Sequence, residues 1–498
     1  MRVNLLGPEA WSHGSVSENG ASLADDLELS IVYDAMAGGD RFIRTVVADL
    51  MPRSLLDPQV IAYRQEVVSD SCAQPATIRE LYSIVKDATD IRRWTAGRDR
   101  GARGKLYLSL EPLTKLISHL RRLRATLDTN SSLFTSAGFL GFTKNLADLF
   151  SEEYLTDIEQ YIRALEFEHG FEVSATLGAH GEIVGAVLHE PPAPPRRRKT
   201  VFAPRDRHTV EISPTDESAR KFISRLVGNC LDRVADVVAH VTEVLAGFFQ
   251  AARTEMAFLV GCVNLHEHLQ SRRYPVCYPR PLGPDSGTGF DFRSLRDPAL
   301  CLSHRSAIEG NSIDGRGRLL TVITGANSGG KSTFLRSLGT AQLMMQAGMF
   351  VVAEAYEADI RTGIFSHFRV DEDASMTYGR LKEELVRVRD LTDRIGPGSM
   401  VLWNEPFAST SEREATEILA PITEALLDSG VTVIVVTHLY DFAAALARRQ
   451  HATDLFLQAQ RLPDGTRTYR LEVGAPATTS HAMDIYRRIF GTESQRVG

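Results

Sequence analysis

The sequence predicts a multidomain α+β protein: a mostly helical N-terminal part with long helices and a small β insertion, then a C-terminal α/β domain. Three observations predict it. Apolar residues recur at helical spacing through most of residues 23–272. The period changes to that of strands over residues 171–188. Beyond residue 318, short β-branched runs alternate with helical stretches, the pattern of a parallel sheet with crossover helices. The divisions read from this are a helical core at 1–104, paired long helices at 105–273 with the β insertion at about 170–215, and the α/β domain at 274–498.

Size and composition bound the rest. A chain of 498 residues is too long for one ordinary domain. With 43% apolar and 24% charged residues it has the composition of a soluble globular protein. A net charge of -7 lends no support to a chain that is basic all over, although a local basic surface can still attract a polyanion. The five cysteines, Cys72, Cys230, Cys262, Cys277 and Cys301, are odd in number and form no C-x-x-C pair. A disulfide framework and a zinc site are therefore not expected, and a reducing compartment is. The N-terminus lacks the apolar stretch of a secretory signal, and no run reaches the roughly 18 apolar residues of a spanning helix. The expectation is a cytoplasmic protein without a membrane partner.

In chain order, Leu27, Ile31, Val32 and Ala35, then Ile78, Leu81, Tyr82 and Val85, mark helices in residues 23–95, with Pro52 and Pro58 punctuating between them. Leu113, Leu116, Ile117, Leu120 and Leu123 form one stripe in residues 105–168; Leu155, Ile158, Ile162 and Leu165 form a later one. Residues 171–188 read as two short strands joined at 178–181. The following EPPAPPRRRK, with Arg196, Arg197, Arg198 and Lys199, is a stiff basic segment. It reads either as a phosphate-contacting loop or as a solubilising linker. Residues 216–272 return to helix without a proline, and the Pro- and Gly-dense 274–298 marks the main boundary.

The strongest signal is a phosphate-binding loop. Residues 318–324 read as a buried strand that runs into Gly325, Ala326, Asn327, Ser328, Gly329, Gly330, Lys331, Ser332 and Thr333, and then into a helix. The glycines let backbone N–H groups turn toward phosphate oxygens, and the helix N-terminus adds its positive end. Lys331 is placed to reach the β- and γ-phosphates, and the Ser332 hydroxyl to meet Mg²⁺. A second strand, 399–403, ends in Asn404 and Glu405. Glu405 is the expected water-polarising group. Asn404 stands where an Asp is usual and offers only a neutral oxygen to the metal. A third strand, 431–437, ends in His438, placed to sense the γ-phosphate. Together these imply an open, mostly parallel sheet with the site at its C-terminal edge.

These residues resemble a known family. GANSGGKSTFLRSLGTAQLMMQAGMFVVAEAYEADI is similar to the phosphate loop, first helix and following strand of MutS-type mismatch-repair ATPases, whose nucleotide domain is ABC-like. VLWNEPFASTSEREATE, VVTHLYDF and RLEVGAPATTSHAMDIYRRI resemble that family's acidic strand, His-containing switch and C-terminal segment, in the same order. YDAMAGGDRFIRTVVADLMPRSLLDPQVIAYRQEVV is similar to the opening of its helical core. The resemblance implies an ATP- and Mg²⁺-using homodimer whose paired helices act as levers and whose β insertion acts as a clamp on mismatched, branched or otherwise non-standard duplex DNA. A repair-protein partner fits the same picture. Ser375 or Thr377 would complete the nucleotide site of the other subunit, and the region of residues 409–411 would lie near the dimer contact.

The sequence also departs from the family. It has no room for the family's mismatch-reading and connector domains. Where an aromatic ring often stacks on adenine it has Ile308, followed by Glu309, Gly310 and Asn311. With Asn404 in place of Asp, two functions stay open: a DNA-associated ATPase, and a nucleotide-gated scaffold that hydrolyses ATP very slowly. A transporter-type ATPase is not supported, since no LSGGQ-like signature is present.

Overall fold

The structure, a computed structural model, describes residues 2–8, 20–91, 102–167, 172–177, 183–189, 216–283, 289–326, 329–369, 379–462 and 467–476. The N-terminal helices are α1 (Gly20–Asp26), α2 (Leu29–Ala37), α3 (Arg41–Leu50), α4 (Pro58–Ala73) and α5 (Pro75–Thr89). Their starts follow from local chemistry. The Asp40 carboxylate accepts from Phe42 N and Ile43 N to cap α3. Asp57 caps α4 by accepting from Gln59 N, with Pro58 at the first helical position.

The apolar stretch that follows is three helices, α6 (Ala102–Asn130), α7 (Ala137–Leu149) and α8 (Glu152–Leu165). Arg121 and Arg124 of α6 reach toward α8 and the end of α7: Arg121 lies 3.3 Å from Glu152 and 3.4 Å from Glu159, and Arg124 donates to Phe150 O. Strands β1 (Glu172–Leu177) and β2 (Ile183–His189) form an antiparallel ribbon, and α9 runs unbroken over Glu217–Ser271. The stretch Cys230–Ser271 of α9 is long and apolar enough to cross a membrane by composition alone. Yet Leu231, Phe249, Phe258, Leu259 and Leu265 are buried in the protein's own core.

The C-terminal part holds β3 (Arg280–Leu282), β4 (Gly289–Leu295), α10 (Pro298–Ser303), β5 (Asn311–Arg316), β6 (Leu320–Thr324), α11 (Lys331–Gln346), β7 (Ala355–Asp359), β8 (Ile364–Phe368), α12 (Arg380–Thr392), β9 (Met400–Asn404), α13 (Glu412–Asp428), β10 (Thr432–Val436), α14 (Tyr440–Arg448), β11 (Asp454–Arg461) and β12 (Arg467–Val473). A six-stranded sheet has the order β12-β11-β6-β10-β9-β8. All its neighbours are parallel except β11 and β12. A four-stranded sheet has the order β3-β7-β4-β5. The proline-rich 274–298 therefore contributes two strands to that second sheet. The punctuation is real, but Phe290 and Phe292 alternate inward behind it, and Leu295 is buried past a break in the register.

By packing, the chain divides into two compact units. One comprises Met1–Val3, Arg79–Phe134 and Leu140–Glu255; the other comprises Asn4–Ile78, Thr135–Phe139 and Met256–Gly498. Within the first, Phe142 stacks on Phe248 at 6.4 Å, and Arg253 donates to Thr89 at 2.6 Å and pairs with Asp90 at 3.1 Å. Within the second, Trp403, Phe407, Val433, Val435 and Phe442 belong to the core beside the large sheet. Helix α11 is buried on nearly all sides, so its polar residues need partners. Gln342 donates to Asp359 O at 2.8 Å, and Gln346 donates to Arg361 O at 2.8 Å.

Candidate nucleotide site

The site is assembled by strand order. β10 lies between β6 and β9, and register sets Val436 opposite both Ile323 and Asn404. The residues just past these ends, Gly325, Glu405 and His438, therefore meet at one sheet edge although they lie up to 113 positions apart. Backbone bonds lock the edge: Glu405 N donates to Val436 O at 2.8 Å, and Thr437 N to Ile323 O at 3.1 Å.

The loop after β6 can be built only from glycine at its closest points. Gly325 has φ +116° and Gly330, the residue capping α11, has φ +88°, both in the region that penalises a Cβ. A Cβ on Gly329 would stand 2.8 Å from the Ala459 Cβ and 2.9 Å from Ala326 O. The wall against which the loop packs is the β11–β12 hairpin.

Lys331 Nζ donates to Gly325 O and Ala326 O, each at 2.9 Å, and is 4% exposed. Burial lowers its pKa to about 8; nearby Glu405 opposes that shift and Arg467 adds to it. Ser332 Oγ donates to Asn404 Oδ1 at 2.9 Å. Glu405 Oε1 lies 3.1 Å from His438 Nε2, close enough for an ion pair but off the line of a hydrogen bond. Its Oε2 lies 3.9 Å from Arg369. His438 holds the Glu405 carboxyl below the usual carboxylate range, burial works against that, and Lys331 and Arg369 add to the lowering. His438 Nδ1 in turn lies 3.4 Å from the Tyr440 hydroxyl.

A cavity of about 500 Å³ opens beside the loop, with Gly330, Thr333 and Phe334 among its walls. Ile308 lines it. Its carbonyl accepts from Arg296 Nε at 2.8 Å and its N–H donates to the Tyr274 hydroxyl at 3.2 Å. The cavity is mostly apolar with a few fixed polar groups, the character of a small-molecule pocket.

The structure thus brings together Gly325, Ala326, Gly329, Gly330, Lys331, Ser332, Thr333, Asn404, Glu405 and His438. Asn327, Ser328, Ser375, Thr377, Arg196, Arg197, Arg198 and Lys199 lie outside the described residues. Ser411, expected near a dimer contact, caps α13 by accepting from Glu414 N. Arg369, Glu384 and the β11–β12 hairpin were not foreseen. Their relevance comes from β8 pairing with β9 and β11 with β6, which no local pattern announces.

The donor set suits Mg²⁺. Ser332 Oγ and Asn404 Oδ1 are hard oxygen donors already 2.9 Å apart at the loop, and Mg²⁺ is commonly held by few protein oxygens together with phosphate and water. Among the described residues no three His, Cys, Asp or Glu side chains gather as a separate metal cluster.

Residues 56–272 match the family described as the MutS2 N-terminal domain, and residues 321–489 match MutS domain V; together they cover more than three quarters of the chain. The chain is similar to a DNA mismatch repair protein MutS 2 of Halobacterium salinarum, with 23% identity over 97% of this chain and 59% of that protein. It is similar to another of that name from Haloarcula marismortui, with 24% identity over 89% of this chain and 52% of the relative. An endonuclease MutS2 of Anaeromyxobacter sp. is 31% identical over 41% of this chain and 25% of its own length. The chain therefore spans between a quarter and three fifths of these relatives.

Proposed function

This chain belongs to the MutS family, and from that premise we propose that it is an ATPase that uses Mg²⁺-ATP binding and hydrolysis to switch a dimeric clamp on non-standard duplex DNA, in repair or recombination. The observation that carries the reading is the convergence of Lys331, Ser332, Asn404, Glu405 and His438 at the end of three adjacent parallel strands.

Chemistry at such a site is positioning plus charge neutralisation. Lys331 exchanges its two carbonyl partners for phosphate oxygens, and the N-terminus of α11 adds its dipole. Ser332 and Asn404 would hold Mg²⁺, which would neutralise part of the phosphate charge. Glu405 aligns the attacking water, while His438 and Arg369 hold its carboxylate and keep it ionised. The cavity lined by Ile308 takes the base. Ser375 or Thr377 from a second copy closes the site. The long helices act as levers and the β1–β2 ribbon as part of the clamp, with Arg196, Arg197, Arg198 and Lys199 toward DNA phosphates.

One observation favours a second reading. Asn404 gives the metal a neutral ligand, which suits a nucleotide-gated scaffold with very slow hydrolysis.

Single-turnover hydrolysis with parallel ATP binding separates the two. Glu405→Gln is expected to lose about 100-fold or more in rate and to keep ATP affinity within about threefold. Asn404→Asp is expected to lower the Mg²⁺ needed for half-maximal rate by about tenfold, as an added charge–charge contact allows. A wild type that binds ATP without measurable turnover, with turnover gained in Asn404→Asp, would establish the scaffold instead.

A further inference from the structure

We propose that Glu384, on α12, is a positioning residue that holds the turn carrying Glu405 in its working conformation. This rests on the reading of Glu405 given above. The turn is an unusual one. Glu405 has φ +54° and Phe407 has φ +59°, so two non-glycine residues on either side of Pro406 occupy the left-handed region. Such a conformation costs energy at each residue and persists only where surrounding contacts impose it.

The backbone of this turn has few anchors. The Glu405 N–H goes to Val436 O. Pro406 has no N–H to give. The next one, from Phe407, donates to Glu384 Oε1 at 2.5 Å. Within the turn Thr410 N donates to Phe407 O at 3.3 Å, and Glu384 is the second of two groups outside it that peg the backbone of the segment aiming the Glu405 carboxylate, the Phe407 ring being wholly buried beneath it.

Glu384 is itself fixed from two further directions. His367 Nε2 lies 3.1 Å from Oε1, and Ser409 Oγ donates to Oε2 at 3.4 Å. His367 is 1% exposed on β8, in register with Trp403 of β9, so it moves only with the sheet. Burial alone would push the Glu384 carboxyl up. The hydrogen bonds from His367, Phe407 and Ser409 outweigh it and leave the group below the usual range. Glu384 is an acceptor locked among three donors, none of them on the phosphate loop. A group so placed acts on the reaction through Glu405, not on the phosphates.

The test compares wild type, Glu384→Gln, Glu384→Ala and Glu384→Met in steady-state ATP hydrolysis with ATP binding measured alongside. Gln can keep its oxygen on Phe407 N and His367 and turn its amide toward Ser409, so kcat is expected to stay within about threefold of wild type. Ala and Met remove the acceptor, Met at nearly the original volume. Both are expected to lower kcat about tenfold or more with ATP affinity within about twofold, because Lys331 and Ser332 are untouched. Met serves where Ala fails to fold, as thermal melting would report. Wild-type kcat in the Met variant would overturn the proposal. So would a parallel loss of ATP affinity, which marks a merely structural role. If instead Glu405→Gln hydrolyses ATP at the wild-type rate, the reading of Glu405 falls, and this proposal with it.

Discussion

Lys331 spends its charge on two carbonyl oxygens of its own loop, a partnership weaker than any it would make with phosphate. Its pKa of about 8, against an ordinary 10.5, fixes two signs. Between those values the folded protein binds fewer protons here than the unfolded chain. The burial penalty is therefore full below about pH 8 and is relieved as pH rises toward 10.5. Nucleotide binding runs the other way, because phosphate favours the charged lysine. ATP affinity is expected to fall as pH rises above about 8, with log Kd climbing by up to about one per pH unit. Calorimetric titration from neutral to alkaline pH checks this, with Lys331→Arg as the control whose charge persists. A flat wild-type profile would contradict the buried, weakly paired lysine. At this scale the sequence was informative where a motif fixes a residue by its neighbours, as for Lys331, Ser332, Asn404, Glu405 and His438. Glu384 and Arg369 were invisible because their neighbours come from strand order. Arg369 meets Glu405 only since β8 lies beside β9.

At the scale of elements, the β11–β12 hairpin and the phosphate loop shape one another. Gly325 and Gly329 face Ala459 on β11, and Gly330 faces Tyr469 on β12. Asn311 of β5 accepts from Leu471 N at 2.7 Å, which ties the second sheet to the same hairpin. Gly329→Ala would force a Cβ against both Ala459 and Ala326 O, and is expected to cost about 1–3 kcal/mol by overpacking. Urea unfolding measures it, and an unchanged midpoint would show that the hairpin does not press on the loop. Strands β6, β9 and β10 were legible as apolar β-branched runs because both of their faces are buried. The second sheet was not. β4 carries an irregular register between Phe292 and Leu295, with Ser294 at φ +57°, which breaks its alternation just after a proline-dense stretch. The apolar period of residues 105–168 was read correctly, but its division into α6, α7 and α8 depends on breaks such as the Ser151 cap of α8, which has no glycine or proline to announce it.

For the whole molecule, the proposed function is one of coupling, in which nucleotide chemistry in the C-terminal domain would serve an event on DNA. The net charge of -7 means that any attraction to DNA must come from a local basic surface, and the segment of Arg196, Arg197, Arg198 and Lys199 is the densest such run in the chain. The measurement that bears most directly on the claim is ATP turnover by wild type and Lys331→Ala, each alone and with linear, branched and mismatched duplexes. The account predicts turnover that disappears with Lys331→Ala and changes in the presence of at least one of those duplexes. Turnover that persists without Lys331, or that is indifferent to every duplex, would contradict it.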